Sequence, residues 1–557
     1  MSSSSPISQK RRSIANFSPN SWDYHLFAIT PAPVLNGELD IEQRLQHLKN
    51  QVRKLILTQV EDLTEKLNFI DNIKRLGVSY HFENEIGEIM ENMSENHPPF
   101  EGKDLHTTSL WFRLLRQEGY HVPSVRLHIY IYADVFDQFK DENGDFKKSM
   151  IEDVVGMLSL YEAAHFAIHG EDFLDKALHY STYNLKSRLS NLSPTLERKV
   201  IHALNYPIRR GMPRFESRYY IPMYSSEASP NDPLLELAII DFNVVQALHK
   251  KELNQIIEWW KKLDFLTNVP YARDRVVEGY FWVLGVYFEP QFMLGRTIMT
   301  KLGTLMAVVD DTYDAYGTIE ELELFTQAIG RWDASSLKPL PQCMKVVLQA
   351  VFDLFNVMEL LTIEAGKSCF VPYVKRAFQQ FCEANLVESK WHHHGYIPTY
   401  EEYIENGIVT CGCPLLLTTC LLGLENSVNR DAFDWISQVP KMVRASSIIF
   451  RVVNDMGSHK FEKTRLHIAS TVKCLMNQHG ILELEAYKLL QEELEDAWKD
   501  INEEYLKAKF IPKVVLQCVV NFTNIVELLY ENFSDKYTHG ELLKDHIRAL
   551  VIDPIGN

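Results

Sequence analysis

From Leu45 the apolar positions run Leu48, Val52, Leu55, Val60, Leu63, Leu67, Ile70 and Ile73, mostly in steps of three and four. That is the spacing of one buried helix face. The same period returns at Leu234, Ala238, Phe242, Val245 and Leu248, and again at Met299, Leu302, Leu305 and Val309. Alternating apolar and polar positions are scarce; Val125 to Tyr132 is the exception, and its pattern predicts a strand. Turn formers gather in Ser225-Ser-Glu-Ala-Ser-Pro-Asn-Asp-Pro233, just ahead of a strong helical pattern. The reading is an all-α chain with an arm over 1–21, a helical domain over 22–228 and a second helical domain over 229–557. A length of 557 residues exceeds what one core usually organises, which supports the division.

The composition, 46% hydrophobic and 24% charged, is that of a globular protein. A formal net charge of −17 leaves no basic excess for nucleic acid or anionic membrane, so an anionic ligand needs metal cations or a local arginine cluster. The uncharged run Asn406 to Leu424 nears the length of a membrane span, yet Gly407, Gly412 and Pro414 interrupt it. A kinked, buried helix is expected there, and no membrane span. All eight cysteines lie at or beyond Cys343 without a CxxC pair, which suits reduced, buried thiols. The first ten residues are polar and lack the apolar stretch of a secretory signal.

Chemistry concentrates in two places. In Asp310-Asp311-Thr-Tyr-Asp314 the spacings i,i+3 and i,i+4 put three carboxylates on one helical face, where like charges persist best around hard cations. A solvated acidic helix end before Gly317 is the bland alternative. In Asn454-Asp455-Met-Gly-Ser458-His-Lys-Phe-Glu462 an amide oxygen, a hydroxyl and a carboxylate stand at i, i+4 and i+8, a stripe about 12 Å long. Ile448, Ile449, Val452 and Val453 just upstream set that helix in the core, where polar groups need partners. Arg273, Arg275 and Arg451 add guanidinium forks suited to phosphate oxygens. Together these features describe a metal-diphosphate cage in an acidic protein. The triple His392-His393-His394 points three ways on a helix and is not expected to bind metal.

Here the chain resembles the plant class I terpene synthases of the sesquiterpene type, among the cyclases of the germacrene and cadinene group. The motifs are D-D-x-x-D at Asp310 to Asp314, [N/D]-D-x-x-[S/T]-x-x-x-E at Asn454 to Glu462, and R-x-R at Arg273 to Arg275. Arg11-Arg12 before Trp22, Leu110-Trp-Phe-Arg-Leu-Leu-Arg116, Phe288-Glu-Pro-Gln291 and Tyr537-Thr-His539 also fit, so the resemblance covers nearly the whole chain. Nine residues separate the arginine pair from Trp22 instead of the family's usual eight, and Val125 to Tyr132 reads as an insertion.

The resemblance implies a C-terminal class I terpenoid synthase fold and an N-terminal helical barrel without chemistry of its own. It implies three magnesium ions, with manganese as an alternative, held by Asp310, Asp311 and Asp314 on one side and Asn454, Ser458 and Glu462 on the other. Arg273, Arg275 and Arg451 would hold the diphosphate, with Arg465 a weaker candidate. Trp282, Tyr530 and Tyr537 would line the cavity, and Thr410-Cys411-Gly412 would break a helix and turn carbonyls toward the cation. Read from the residues themselves, a turn at Phe533 to His539 would bring Asp535 near Tyr537, where it could accept the phenolic proton. The expected reaction converts farnesyl diphosphate into a cyclic sesquiterpene and diphosphate, in a cytoplasmic monomer. A monoterpene synthase using geranyl diphosphate and an inactive helical scaffold are the alternatives. A chain-elongating prenyltransferase would carry a second D-D-x-x-D, and protonation-initiated cyclases a D-x-D-D; neither occurs.

Overall fold

A computed structural model describes residues 17–28, 36–58, 62–96, 103–122, 135–142, 144–424, 428–465 and 469–556, the side chains of 36–39, 334 and 460–465 excepted. Among the described residues the structure is helical throughout, relieved by a single isolated antiparallel bridge between Lys140 and Phe146. The segment from Val125 to Tyr132, expected as a strand, lies outside the described residues. Eight α-helices between Asn36 and Ser225 make the first domain among the described residues. Residues 226–231 then lead into the long helix Asp232–Leu263, whose N-terminus is capped by the Asn231 side chain accepting from the Leu234 N–H and is stiffened by Pro233.

The second domain packs its helices around an apolar core, and one buried ion pair sets the position of the helix that carries the aspartates. Arg296, on helix Met293–Ala315, donates from Nε and Nη2 to both oxygens of Glu252, each at 2.8 Å, and Tyr280 donates to the same carboxylate at 2.8 Å. The fork is fully buried, so removing either charge would strand the other without water. The first domain docks through carbonyls: Asn502 donates to the His165 and Ala167 carbonyls at 3.0 and 2.9 Å, and accepts from Arg209 at 2.8 Å.

Among the described residues four helices are long and apolar enough to cross a membrane: Pro290–Ala315, Gln342–Ile363, Tyr400–Gly423 and Lys513–Phe533. Between half and about four-fifths of each apolar stretch is covered by the rest of the protein, so these helices are apolar because they form the core. The run from Asn406 is divided as expected. Helix Tyr400–Thr410 stops, Gly412 takes the left-handed conformation at φ 77°, and helix Cys413–Cys420 restarts with Pro414 in its first turn. All eight cysteines are free thiols.

Candidate active site

The second domain encloses a cavity of about 560 Å³, within the size range of small-ligand sites. Asp310, Asp311 and Asp314 reach it from the last turns of helix Met293–Ala315, and Asn454 and Ser458 from helix Lys441–Arg465. Residues 144 positions apart in the chain thus meet at one mouth. Glu462 and Arg465 lie on the last turns of the second helix, with side chains outside the described residues.

The three aspartates are not equivalent. Asp314 is exposed and Asp310 half-buried, whereas Asp311 is sealed, accepts from the Arg273 backbone N–H at 2.8 Å and forms an ion pair with the Arg273 guanidinium, Nε to Oδ1 at 2.9 Å. Burial pushes the Asp311 carboxyl up to about 6 although Arg273 pulls it the other way. Arg273 also donates to Asp310 at 3.1 Å and to the Thr538 hydroxyl at 3.1 Å, and its guanidinium lies 4.7 Å from the centre of the Phe17 ring. On the opposite side Arg451 donates to Asn454 Oδ1 at 2.7 Å and pairs with the buried Asp455, whose other oxygen accepts from the Thr471 N–H at 2.6 Å. Asp455 therefore positions Arg451, and each rim of the mouth has one arginine lying against a ligand face.

Arg275 occupies a different place from the one expected. It is buried away from the cavity, donating to the carbonyls of Ser18 at 2.7 Å, Tyr537 at 3.1 Å, Thr538 at 2.7 Å and Asp274 at 2.8 Å. The chain is not helical at these two arginines, and side chains two apart diverge in their surroundings. Arg275 ties the N-terminal strap to the 537–538 segment instead of meeting a ligand. The strap is held further by Asn20 and Tyr24 on Asp274, at 3.0 and 2.7 Å, and by Trp22 Nε1 on Glu278 Oε1 at 3.1 Å.

Trp282, Tyr530 and Tyr537 all line the cavity. Trp282 meets Tyr537 edge-on at 5.5 Å and Phe450 at 5.1 Å, and Phe450 lies 6.0 Å from Tyr530, so one aromatic wall runs down from the mouth. The expected bond from Tyr537 to Asp535 is replaced by a turn: Asp535 Oδ1 accepts from the Thr538 N–H at 2.8 Å. At the helix break Thr410 and Cys411 line the cavity, while the Gly412 carbonyl accepts from the Leu416 N–H at 2.9 Å.

Sequence reasoning missed the stripe Phe381, Asn385, Glu388 and His392, which helix Val371–His394 turns toward the same cavity. Glu388 accepts from the Thr410 hydroxyl at 2.6 Å, linking this helix to the break. Spacing of i, i+4, i+7 and i+11 is the available signal, but it joins one apolar residue to three polar ones and no local motif marks them.

The donor set fits magnesium. Asp310, Asp314, Asn454 and Ser458 offer hard oxygen atoms only, and among the described residues no three His, Cys, Asp or Glu side chains converge as a closed metal cage. An ion that completes its shell with substrate oxygens and water suits such an open arrangement.

The comparisons agree with this geometry. Residues 21–204 match the family description "Terpene synthase, N-terminal domain" and residues 261–500 match "Terpene synthase family, metal binding domain". The chain is 45% identical over 545 residues to a (-)-germacrene D synthase of Vitis vinifera, covering 98% of this chain and 96% of that protein. It is also 45% identical over 546 residues to "Sesquiterpene synthase 2" of Toona sinensis, covering 97% and 96%. Its fold is similar to that of isoprene synthase from grey poplar (Populus x canescens), solved in complex with three Mg²⁺ ions and dimethylallyl-S-thiolodiphosphate, with a TM-score of 0.86 and 30% identity over 96% of this chain and 99% of that one. The chain belongs to the terpene synthase family, with the family's N-terminal and metal-binding domains both present.

Proposed function

We propose that this chain is a sesquiterpene synthase that ionises farnesyl diphosphate at the cavity mouth and lets the carbocation cyclise within. One observation carries the reading: two faces of oxygen donors and two arginines meet above one aromatic cavity. Asp310, Asp311 and Asp314 would hold magnesium on one side and Asn454, Ser458 and Glu462 on the other. Magnesium bound there supplies Lewis acidity toward the leaving diphosphate. Arg273 and Arg451 present N–H groups where that anion gathers charge, in a dry setting that strengthens each contact. Trp282, Phe450 and Tyr537 offer π faces to the hydrocarbon cation. Arg275 and the Trp22–Glu278 bond hold the strap beside the mouth, limiting the water that would otherwise quench the cation.

The fifteen-carbon substrate is favoured by the similarity to proteins named germacrene D synthase and sesquiterpene synthase. A cytoplasmic monomer accompanies this reading; a fluorescent fusion found in plastids, or a dimer in light scattering, would overturn either part. Incubation with farnesyl diphosphate and magnesium, followed by gas chromatography, tests the reaction itself. Sesquiterpene hydrocarbons that disappear with excess chelator are expected, and diphosphate release indifferent to chelator would refute the metal-assisted ionisation.

A further inference from the structure

Following helix Met293–Ala315 inward from Asp310, the next cavity-facing side chains are Ala307, Met306 and Gly303. Met306 is four residues before Asp310, so it lies one turn, about 6 Å, deeper on the same face. Charge first appears on the carbon that loses the diphosphate, and this is the depth just beneath the carboxylates. Met306 is also fixed in place: a Cβ at Gly412 would come within 2.6 Å of its sulfur and 2.8 Å of its methyl. The left-handed glycine of the helix break is therefore packed directly by the thioether. Next to it Cys411 lines the cavity, with its thiol donating to the Ile408 carbonyl at 3.3 Å. Met299, farther down, is different, because its sulfur accepts from the Tyr287 hydroxyl at 3.7 Å.

We propose that the Met306 thioether and the Cys411 thiol are sulfur contacts of the nascent allylic cation and take part in choosing the product. The inference rests on the terpene synthase reading above and adds to the aromatic wall a second, softer one. Sulfur is polarisable and carries lone pairs, so it steadies an adjacent cation where an alkyl group of the same size offers only contact. Burial keeps the Cys411 thiol protonated, its pKa pushed well above the ordinary value, so it does not compete as a thiolate. A neutral thiol still captures a carbocation on occasion. The sulfur lone pair forms the C–S bond, the S–H bond breaks, and the proton passes to the diphosphate released in the same turnover. The product is a thioether on Cys411, with no change in oxidation state elsewhere.

The test is prolonged turnover with farnesyl diphosphate and magnesium, scored as adduct per diphosphate released by peptide mass mapping. The expected result is a Cys411 peptide heavier by the prenyl cation less one proton, accumulating with diphosphate and absent when chelator is added. Cys411→Ser should carry no adduct at that position. Met306→Leu, close in volume, should change the ratio of hydrocarbon products by at least about threefold, a difference of roughly 0.6 kcal/mol between competing barriers. Abundant diphosphate with an unmodified Cys411 peptide would overturn the thiol contact, and an unchanged hydrocarbon ratio in Met306→Leu would overturn the thioether's part. No diphosphate release from the wild-type protein would instead refute the underlying function.

Discussion

Glu278 gives the sharpest quantitative test of how the strap is held. Its side chain is fully buried, Oε2 has no partner, and Oε1 accepts from Trp22 and would lie within 1.9 Å of a Cβ on Gly540. Burial pushes its carboxyl from 4.5 up to about 7. Between those values the folded protein keeps a proton that the unfolded chain has lost. Stability therefore falls as pH rises through the window, and is level below 4.5 and above about 7. At about 1.4 kcal/mol per pH unit the whole fall is about 3 kcal/mol, of which about 2 to 3 kcal/mol lies between about pH 5 and about pH 8. Glu278→Gln keeps an oxygen for Trp22 but has no proton to lose. Urea unfolding followed by circular dichroism across that range should show wild type losing about 2 to 3 kcal/mol more than the variant. Asp311, raised to about 6, titrates in both proteins and cancels in the difference. Curves that stay parallel would show that the carboxyl is ionised and solvated throughout, and that the strap is not held over a neutral acid.

Three further outcomes follow from the same geometry. Asp310→Ala and Asp314→Ala should each lower turnover by about 10² or more without loss of helical circular dichroism, because they remove the site's charge stabilisation of the leaving group; rates within about twofold of wild type would exclude them as ligands. Gly412→Ala places a Cβ against the Met306 sulfur at a left-handed position and should cost at least about 1 to 2 kcal/mol, read as a lower thermal midpoint. Tyr537→Phe should move products toward early-terminated or hydroxylated terpenes while diphosphate release stays within about tenfold, under 1.4 kcal/mol of barrier; identical chromatograms would reduce the phenol to packing.

What could be read from the chain and what could not divide along the range of the interactions. The carboxylates of Asp310 to Asp314 and the stripe from Asn454 to Ser458 are spaced within a few turns of single helices, so helical geometry alone puts each set on one face. The break at Gly412 was legible for the same reason, since glycine and proline act on their own backbone. Arg273 and Arg275 look alike in sequence, yet one meets Asp310 and Asp311 and the other the carbonyls of Ser18 and Thr538. Their partners lie hundreds of residues away in part, and only the folded chain sorts them. Asn385 and Glu388 stayed hidden, and His392 was weighed only as a metal ligand, because a polar residue on a helix is ordinarily a solvated one. The Asp535 carboxylate was assigned to a phenol two residues on, when the nearest unsatisfied donor was the backbone N–H of its own turn.

The proposed reaction is the ionisation and folding of a fifteen-carbon prenyl diphosphate in this cavity. Purified protein given equal concentrations of farnesyl and geranyl diphosphate with magnesium, and analysed by gas chromatography with mass detection, addresses it in one experiment. Cyclic fifteen-carbon hydrocarbons are expected as the dominant volatile products; a dominance of ten-carbon products, or diphosphate release with no hydrocarbon at all, would refute the proposed reaction.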